Sequence, residues 1–204
     1  MTTKTIITLG RQFGSGGRAV GKKLAEDLGI PYYDKEILQR AAKESGICES
    51  LFENHDEKPT SSFLYSLVMD TYSAGYATMG MQEMPMSQKV FLAQFDTIKK
   101  IAEEGPCVIV GRCADYILKE YNPYRIFIYA NMEYKQQRIM NNYKDPKNTA
   151  YENILKSDKN RARFYNETTG QTWGAKENYD LCINSSIGVE ETVNLIYNYI
   201  SNRK

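Results

Sequence analysis

The stretch Ile6-Ile7-Thr8-Leu9-Gly10-Arg11-Gln12-Phe13-Gly14-Ser15-Gly16-Gly17-Arg18 decides how this chain folds. A short apolar run leads into a glycine-rich turn, and a helix is expected to start at about Gly17. Four glycines fall between Gly10 and Gly17, directly between strand and helix. Such glycines remove side chains so that backbone amides approach an anion, and the positive helix end adds to the attraction. A tight strand–helix turn without a ligand is the alternative. The common pattern G-x-x-x-x-G-K-[ST] is not met. Counting back from Leu24-Ala25-Glu26-Asp27-Leu28, Gly17 stands where the phosphate-contacting lysine is expected. Arg18 follows it, and Ala19 stands where a magnesium-holding hydroxyl is expected. Arg11, Ser15 and Arg18 are the nearby groups that could compensate. Arginine grips phosphate as a fork but is no straight swap for lysine. The amides of Gly14, Ser15, Gly16 and Gly17 are therefore expected to hold phosphate, with Ser15 a candidate Mg2+ ligand.

The rest of the chain fits around this loop. Its 204 residues suggest one domain, with enough length to bury a core. A formal net charge of +1 gives no global field toward nucleic acid or membrane. No apolar run approaches membrane-spanning length, and no basic-then-apolar leader precedes the first strand. A cytoplasmic protein is expected. Cys48, Cys107, Cys113 and Cys182 form no C-x-x-C pair, and His55 is the only histidine. Free thiols are expected rather than a zinc site, with His55 at the surface or partly packed.

Apolar runs bounded by turn residues predict strands at Thr5–Leu9, Ile30–Tyr33, Cys107–Val110, Arg125–Tyr129 and Tyr179–Ile183. Helical patterns cover Arg18–Leu28, Lys35–Lys43, Lys89–Glu103, Ala114–Glu120, Glu133–Tyr143 and Glu190–Ile200. This alternation implies an α/β fold, a mainly parallel sheet of about five strands with helices on both faces. Residues 50–88 and 144–176 break the alternation. The first is rich in Met, Ser, Thr and Pro and reads as a helical insertion. The second is polar, with many Lys, Asn and Arg, and reads as a long helix followed by a Gly-containing loop. Both follow a strand–helix unit and could fold over the carboxyl edge of the sheet, where ligands bind in such folds.

Other charged groups fall at strand ends. Gly111-Arg112-Cys113 closes a buried strand, so Arg112 should emerge at the carboxyl edge as a forked donor, or else cap carbonyls or pair with Asp115. Asp34 ends the second strand and is either a helix N-cap or a residue facing substrate or magnesium-bound water. Asn184-Ser185-Ser186 after the last strand carries the same two readings. Asp158-Lys159-Asn160-Arg161-Ala162-Arg163 is either a solvated helical face or a segment that closes over phosphates and delivers Arg161 and Arg163 to developing charge. Cys113 reads as a packed thiol.

Taken together, Arg11–Arg18, Gly29–Glu36, Ser61–Ser66 and Val108–Asp115 resemble the cytidylate kinase-like family over nearly the whole length. The resemblance implies a P-loop NTPase fold of the nucleoside monophosphate kinase type, with a helical insertion and a lid over one sheet. It also implies an Asp/Arg-rich lid at Asp158–Arg163 and an arginine on the helix after the fourth strand, here Arg138. Three positions depart from related cytidylate kinases: the missing loop lysine, Cys113 in place of an acid, and Asn184 in place of an aspartate.

The expected activity is a P-loop kinase, a phosphotransferase carrying the γ-phosphoryl of ATP, with Mg2+, to a small acceptor such as a nucleoside monophosphate, for instance cytidylate. In that reading Arg18, Arg112, Arg161 and Arg163 serve catalysis. Arg11, Gly14, Ser15, Gly16, Gly17, Arg18 and Arg138 hold the nucleotide phosphates, and Asp34, Arg112 and Asn184 hold the acceptor. The alternative is a non-catalytic nucleotide-binding or regulatory protein with a degenerate loop. A homodimer through the Met- and Tyr-rich insertion is a further expectation, because such residues suit adaptable interfaces.

Overall fold

Five strands form one parallel sheet in the order β2-β3-β1-β4-β5. The computed structural model describes residues 5–55, 86–143 and 146–202. Most of the 50–88 insertion, the Ser61–Ser66 segment and the His55 side chain lie outside the described residues. In chain order the elements are β1 (Ile6–Arg11), α1 (Gly17–Leu28), β2 (Tyr32–Tyr33), α2 (Glu36–Ser45) and α3 (Glu49–His55). They continue with α4 (Met86–Glu104), β3 (Cys107–Val110), α5 (Ala114–Ile117), β4 (Tyr124–Tyr129) and α6 (Met132–Tyr143). The chain closes with α7 (Lys147–Thr169), β5 (Leu181–Asn184) and α8 (Val189–Asn202).

The strands are continuous apolar runs because both faces of the sheet are covered. Ile7, Leu9, Val108, Val110, Ile126 and Ile128 pack with Val20 and Leu24 of α1 and with Val193 and Ile196 of α8. Ile6, Cys107 and Ile109 face the other way, onto Ile37 of α2, Phe95, Ile98 and Ile101 of α4, and Ile117. Full burial of one such aliphatic side chain stabilises the fold by roughly 1.5–3 kcal/mol.

Two predicted elements are displaced. The fifth strand begins at Leu181 rather than Tyr179, because a 3-10 turn at Lys176–Asn178 ends on Tyr179 and Asp180 clasps Arg125 instead. The helix predicted over Ala114–Glu120 stops at Ile117 and gives way to a separate 3-10 turn, Lys119–Tyr121.

The long polar helix α7 is not solvated all round. Ala150 and Ile154 pack under α6 with Ile139, and Phe164 and Tyr165 pack with Phe91 and Cys113. Asp158 and Arg161 lie between these two anchors on the same stripe, because residues spaced three or four apart share a helix face. Among the described residues, no helix is long and apolar enough to cross a membrane.

Candidate active site

The loop takes the shape its glycines allow. Gly14 and Gly16 have φ of 79° and 84°, a region that side chains with a Cβ disfavour. Gly16 is the N-cap of α1 and makes no side-chain bond there, so the first-turn amides are left to a ligand. A Cβ on Gly17 would lie 2.6 Å from Arg11 Cβ, so the helix start rests directly on the end of β1. Ser185, after β5, places its hydroxyl 2.6 Å from the Ser15 carbonyl oxygen and 2.9 Å from that of Tyr129, tying the loop to two strands.

Ser15 does not fit the magnesium role. Its hydroxyl is fully buried and donates to the Gln12 carbonyl at 2.8 Å, within the loop itself. Among the described residues no cluster of three or more metal-type side chains forms. A magnesium ion here would enter on the oxygens of a bound nucleotide, as this ion commonly does.

Asp34 does not cap α2. Lys35, not Asp34, occupies the N-cap position of α2, and it makes no side-chain cap bond. The Asp34 carboxylate instead bridges two arginines, Arg18 Nε at 2.5 Å and Arg112 Nη1 at 3.2 Å. Arg112 follows β3 in a left-handed conformation, φ 54°, that Gly111 (φ 77°) and Cys113 (φ 55°) share. Its side chain is 1 % exposed and also donates to the Val110 carbonyl. Asp115, three positions on, accepts the Tyr165 hydroxyl. Three consecutive residues held left-handed, two of them not glycine, store strain of the kind found at functional sites.

Helix α7 reaches the loop from far along the chain. Asp158 Oδ1 accepts the Phe13 amide at 2.6 Å, and its Oδ2 lies 3.1 Å from Lys135 Nζ. Arg161 stacks over the Phe13 ring, 5.7 Å to the centroid, and donates to the Arg11 carbonyl at 3.4 Å. No motif in the sequence marks Lys135. It is 5 % exposed, also reaches Gln12 Oε1 at 3.3 Å, and its carbonyl oxygen would lie 3.0 Å from a Cβ on Gly14. The chain therefore keeps a buried cation beside the glycine loop, carried by α6 rather than by the loop. One signal was available: Lys135 sits at helical spacing between the inward-facing Met132 and Ile139.

Arg138 also meets the loop, with its guanidinium carbon 3.2 Å from the position of a Cβ on Gly16. Two other expected residues stand apart. Arg163 is 67 % exposed and pairs with Glu167 one turn on. Asn184 ends the strand at the opposite edge of the sheet from Asp34, is exposed, and accepts the Ser186 amide to cap a local turn. Asn184 is therefore not gathered with Asp34 and Arg112.

Arg11, Arg112 and Arg161 converge on one small, partly open cleft at the carboxyl ends of β1 and β3. Asp115, Tyr165, Trp173 and Tyr179 share its lining. Asp115 accepts the Tyr165 hydroxyl at 2.7 Å, and burial pushes its carboxyl up to about 6. Burial likewise raises the Tyr165 and Tyr179 hydroxyls, so both stay protonated donors. A glycine loop beside a cleft of forked cations can bind a polyphosphate and present a second anion to it.

The comparisons agree with this fold. An uncharacterized protein of Eubacterium ventriosum is 31% identical over 98% of this chain and 100% of its own, with a TM-score of 0.74. Shikimate kinase from Bacteroides thetaiotaomicron shares the fold at 14% identity and TM-score 0.54, over 97% of this chain and 98% of its own. Shikimate kinase from Acinetobacter baumannii, solved with shikimate, gives 16% and 0.51, over 99% of this chain and 96% of its own. No curated protein matches. The sequence profile of the cytidylate kinase-like family matches residues 6–187, and the chain belongs to that family.

Proposed function

We propose that the protein is a phosphotransferase that carries the γ-phosphoryl of ATP to a small anionic acceptor, a nucleoside monophosphate such as cytidylate among the candidates. The observation that carries this reading is the convergence of Arg11, Arg112 and Arg161 on one cleft beside the glycine loop. Phosphoryl transfer asks little covalent chemistry of a protein. It needs two substrates held in line and the developing negative charge stabilised.

In this reading the amides of Gly14, Gly16 and Gly17 hold the donor phosphates, the Ser15 amide being spent on the Gln12 carbonyl, and Arg138 lies against Gly16. Mg2+, arriving with the nucleotide, would offset phosphate charge. Lys135 supplies the cation that the loop lacks, and Asp34 fixes the forks of Arg18 and Arg112 in place. Arg112 and Arg161 hold the acceptor and meet the transferring group.

Arg112→Ala tests this. Turnover should fall far more than ATP affinity does, because a transition-state contact is lost. Equal losses in both would argue against a role in transfer.

A second reading, a nucleotide-binding protein without turnover, is favoured by one observation. The Asp158 carboxylate already sits on a loop amide, where a bound phosphate would compete with it. ATP binding without ADP release for any acceptor would support that reading.

A further inference from the structure

Helix α7 covers a carboxyl group. Asp115 follows the end of β3, and Phe164 and Tyr165 of α7 pack over that end with Phe91 and Cys113. Asp115 and Tyr165 are both buried, and the Tyr165 hydroxyl donates to Asp115 Oδ2 at 2.7 Å. The same hydroxyl lies 3.1 Å from Gln171 Oε1, just past the end of α7. A phenol carries one hydrogen and cannot donate to both acceptors. A protonated Asp115 resolves this, because it donates to Tyr165 Oη while Tyr165 donates on to Gln171. Tyr179 and the cations Arg11, Arg112 and Arg161 line the same cleft. Arg112 is bonded to Asp34, and Arg125 of β4, which favours the ionised carboxyl, is bonded to Asp180. Burial outweighs these charges and raises the Asp115 carboxyl to about 6. Tyr165 also lies one turn beyond Arg161 on the same helix face, and Arg161 stacks over the Phe13 ring. The seat of Tyr165 therefore sets where Arg161 stands.

We propose that Asp115 is a positioning residue whose charge decides how firmly the C-terminal half of α7, and with it Arg161, is seated on the sheet. Protonated, Asp115 completes the chain through Tyr165 to Gln171, and the seat is firm. Ionised, it is a buried charge that lifting α7 returns to water, and the seat loosens. The N-terminal half is held separately, by Ala150 and Ile154 against Ile139 and by Asp158 on the Phe13 amide. Loosening is therefore confined to the residues beyond Asp158. The consequence for phosphoryl transfer rests on the role given to Arg161 above, whereas the seating itself does not.

Proton linkage fixes the sign. A carboxyl raised from 3.8 to about 6 by the seated helix favours seating fully at the low end of that range. The preference is lost as pH rises through the upper value. Amide hydrogen exchange of residues 159–169, corrected for its intrinsic pH dependence and read without nucleotide, tests this. Protection relative to Asp115→Asn should fall by up to about tenfold per pH unit between about pH 4 and pH 6, then level off. At about pH 7.5 the segment should be roughly tenfold or more better protected in Asp115→Asn than in the unaltered protein. Tyr165→Phe removes a donor that favours the ionised carboxyl, so its fall in protection should continue to higher pH.

A protection ratio that does not change with pH would overturn the inference. So would exchange of residues 159–169 no faster than that of β1, since α7 would then lift only when the whole protein unfolds. If Asp115→Asn fails to fold, Tyr165→Phe decides against the unaltered protein, and levelling off at the same pH in both would overturn the inference. No nucleotide takes part, so an absence of ADP release would refute phosphoryl transfer and leave the seating of α7 standing. Conversely, turnover would not rescue a flat ratio.

Discussion

The glycine loop and helix α7 meet at the candidate site in opposite ways. The loop acts through its backbone, and its design is local: a strand, glycines with positive φ, and a helix start within thirteen residues. Helix α7 acts through side chains, and every contact it makes with the loop spans more than a hundred residues. Losing one loop glycine disturbs a shape, whereas losing one α7 side chain removes a charge. A charge near the transferring group should affect rate, and a shape should affect folding as well.

The largest effect should come from the charges. Arg112→Ala should lower kcat/KM by about 10²–10³, the order seen when one preorganised transition-state donor is removed. Arg161 is less buried and reaches the site from α7, so Arg161→Ala should cost less in the same steady-state assay. Equal losses would break the distinction between the sheet-borne and helix-borne arginines.

Gly17→Ala addresses the loop. The new Cβ would meet Arg11 Cβ at 2.6 Å, backed by the sheet. Overpacking of this kind costs about 1–3 kcal/mol, readable by urea unfolding. Unchanged stability would mean that the helix start yields easily.

The contact between the two regions is next. Asp158→Ala should tighten ATP binding several-fold, because the carboxylate no longer competes for the Phe13 amide. Lys135→Ala should weaken it, by losing the buried cation. Calorimetry on both variants reads the opposed signs, and two losses would contradict competition.

The cleft carboxyl gives a pH test. Burial raises Asp115 from 3.8 to about 6 in the folded protein, so the native state binds the proton more tightly. Its contribution is fully present below the unfolded value and is lost as pH rises through the folded one. Stability relative to Asp115→Asn should therefore fall between about pH 4 and pH 6, by at most about 1.4 kcal/mol per pH unit. Urea midpoints for both proteins across that range check the sign, and a flat difference would refute it. The smallest effect belongs to Arg163→Ala. An exposed pair one helical turn apart is worth about 0.3–0.5 kcal/mol, and turnover should not change.

These contrasts also explain what the sequence disclosed. Strands β1, β3 and β4 were readable because burial on both faces leaves continuous apolar runs. Gly111-Arg112 was readable because it closes such a run. Residues 50–88 read only as a break in the alternation, and most of them lie outside the described residues. Lys135 was hidden because a lysine on a polar helix reads as solvated, and its stripe position shows only once Met132 and Ile139 are known to face inward. Asp115 reads in the sequence only as a partner for Arg112, because Tyr165, which it meets in the fold, lies fifty residues away. Composition pairs Arg163 with Arg161, although two residues along a helix point to different faces. Asn184 and Asp34 look alike in the sequence because both end strands, and only the strand order puts them at opposite edges.

The most direct measurement is ADP release from Mg-ATP across nucleoside monophosphates, nucleosides and small ring-bearing or acyclic phosphates and carboxylates. Stimulation by an anionic acceptor, abolished in Arg112→Ala with ATP binding retained, is the predicted result. ATP binding with no acceptor-dependent ADP release anywhere in the panel would contradict the account.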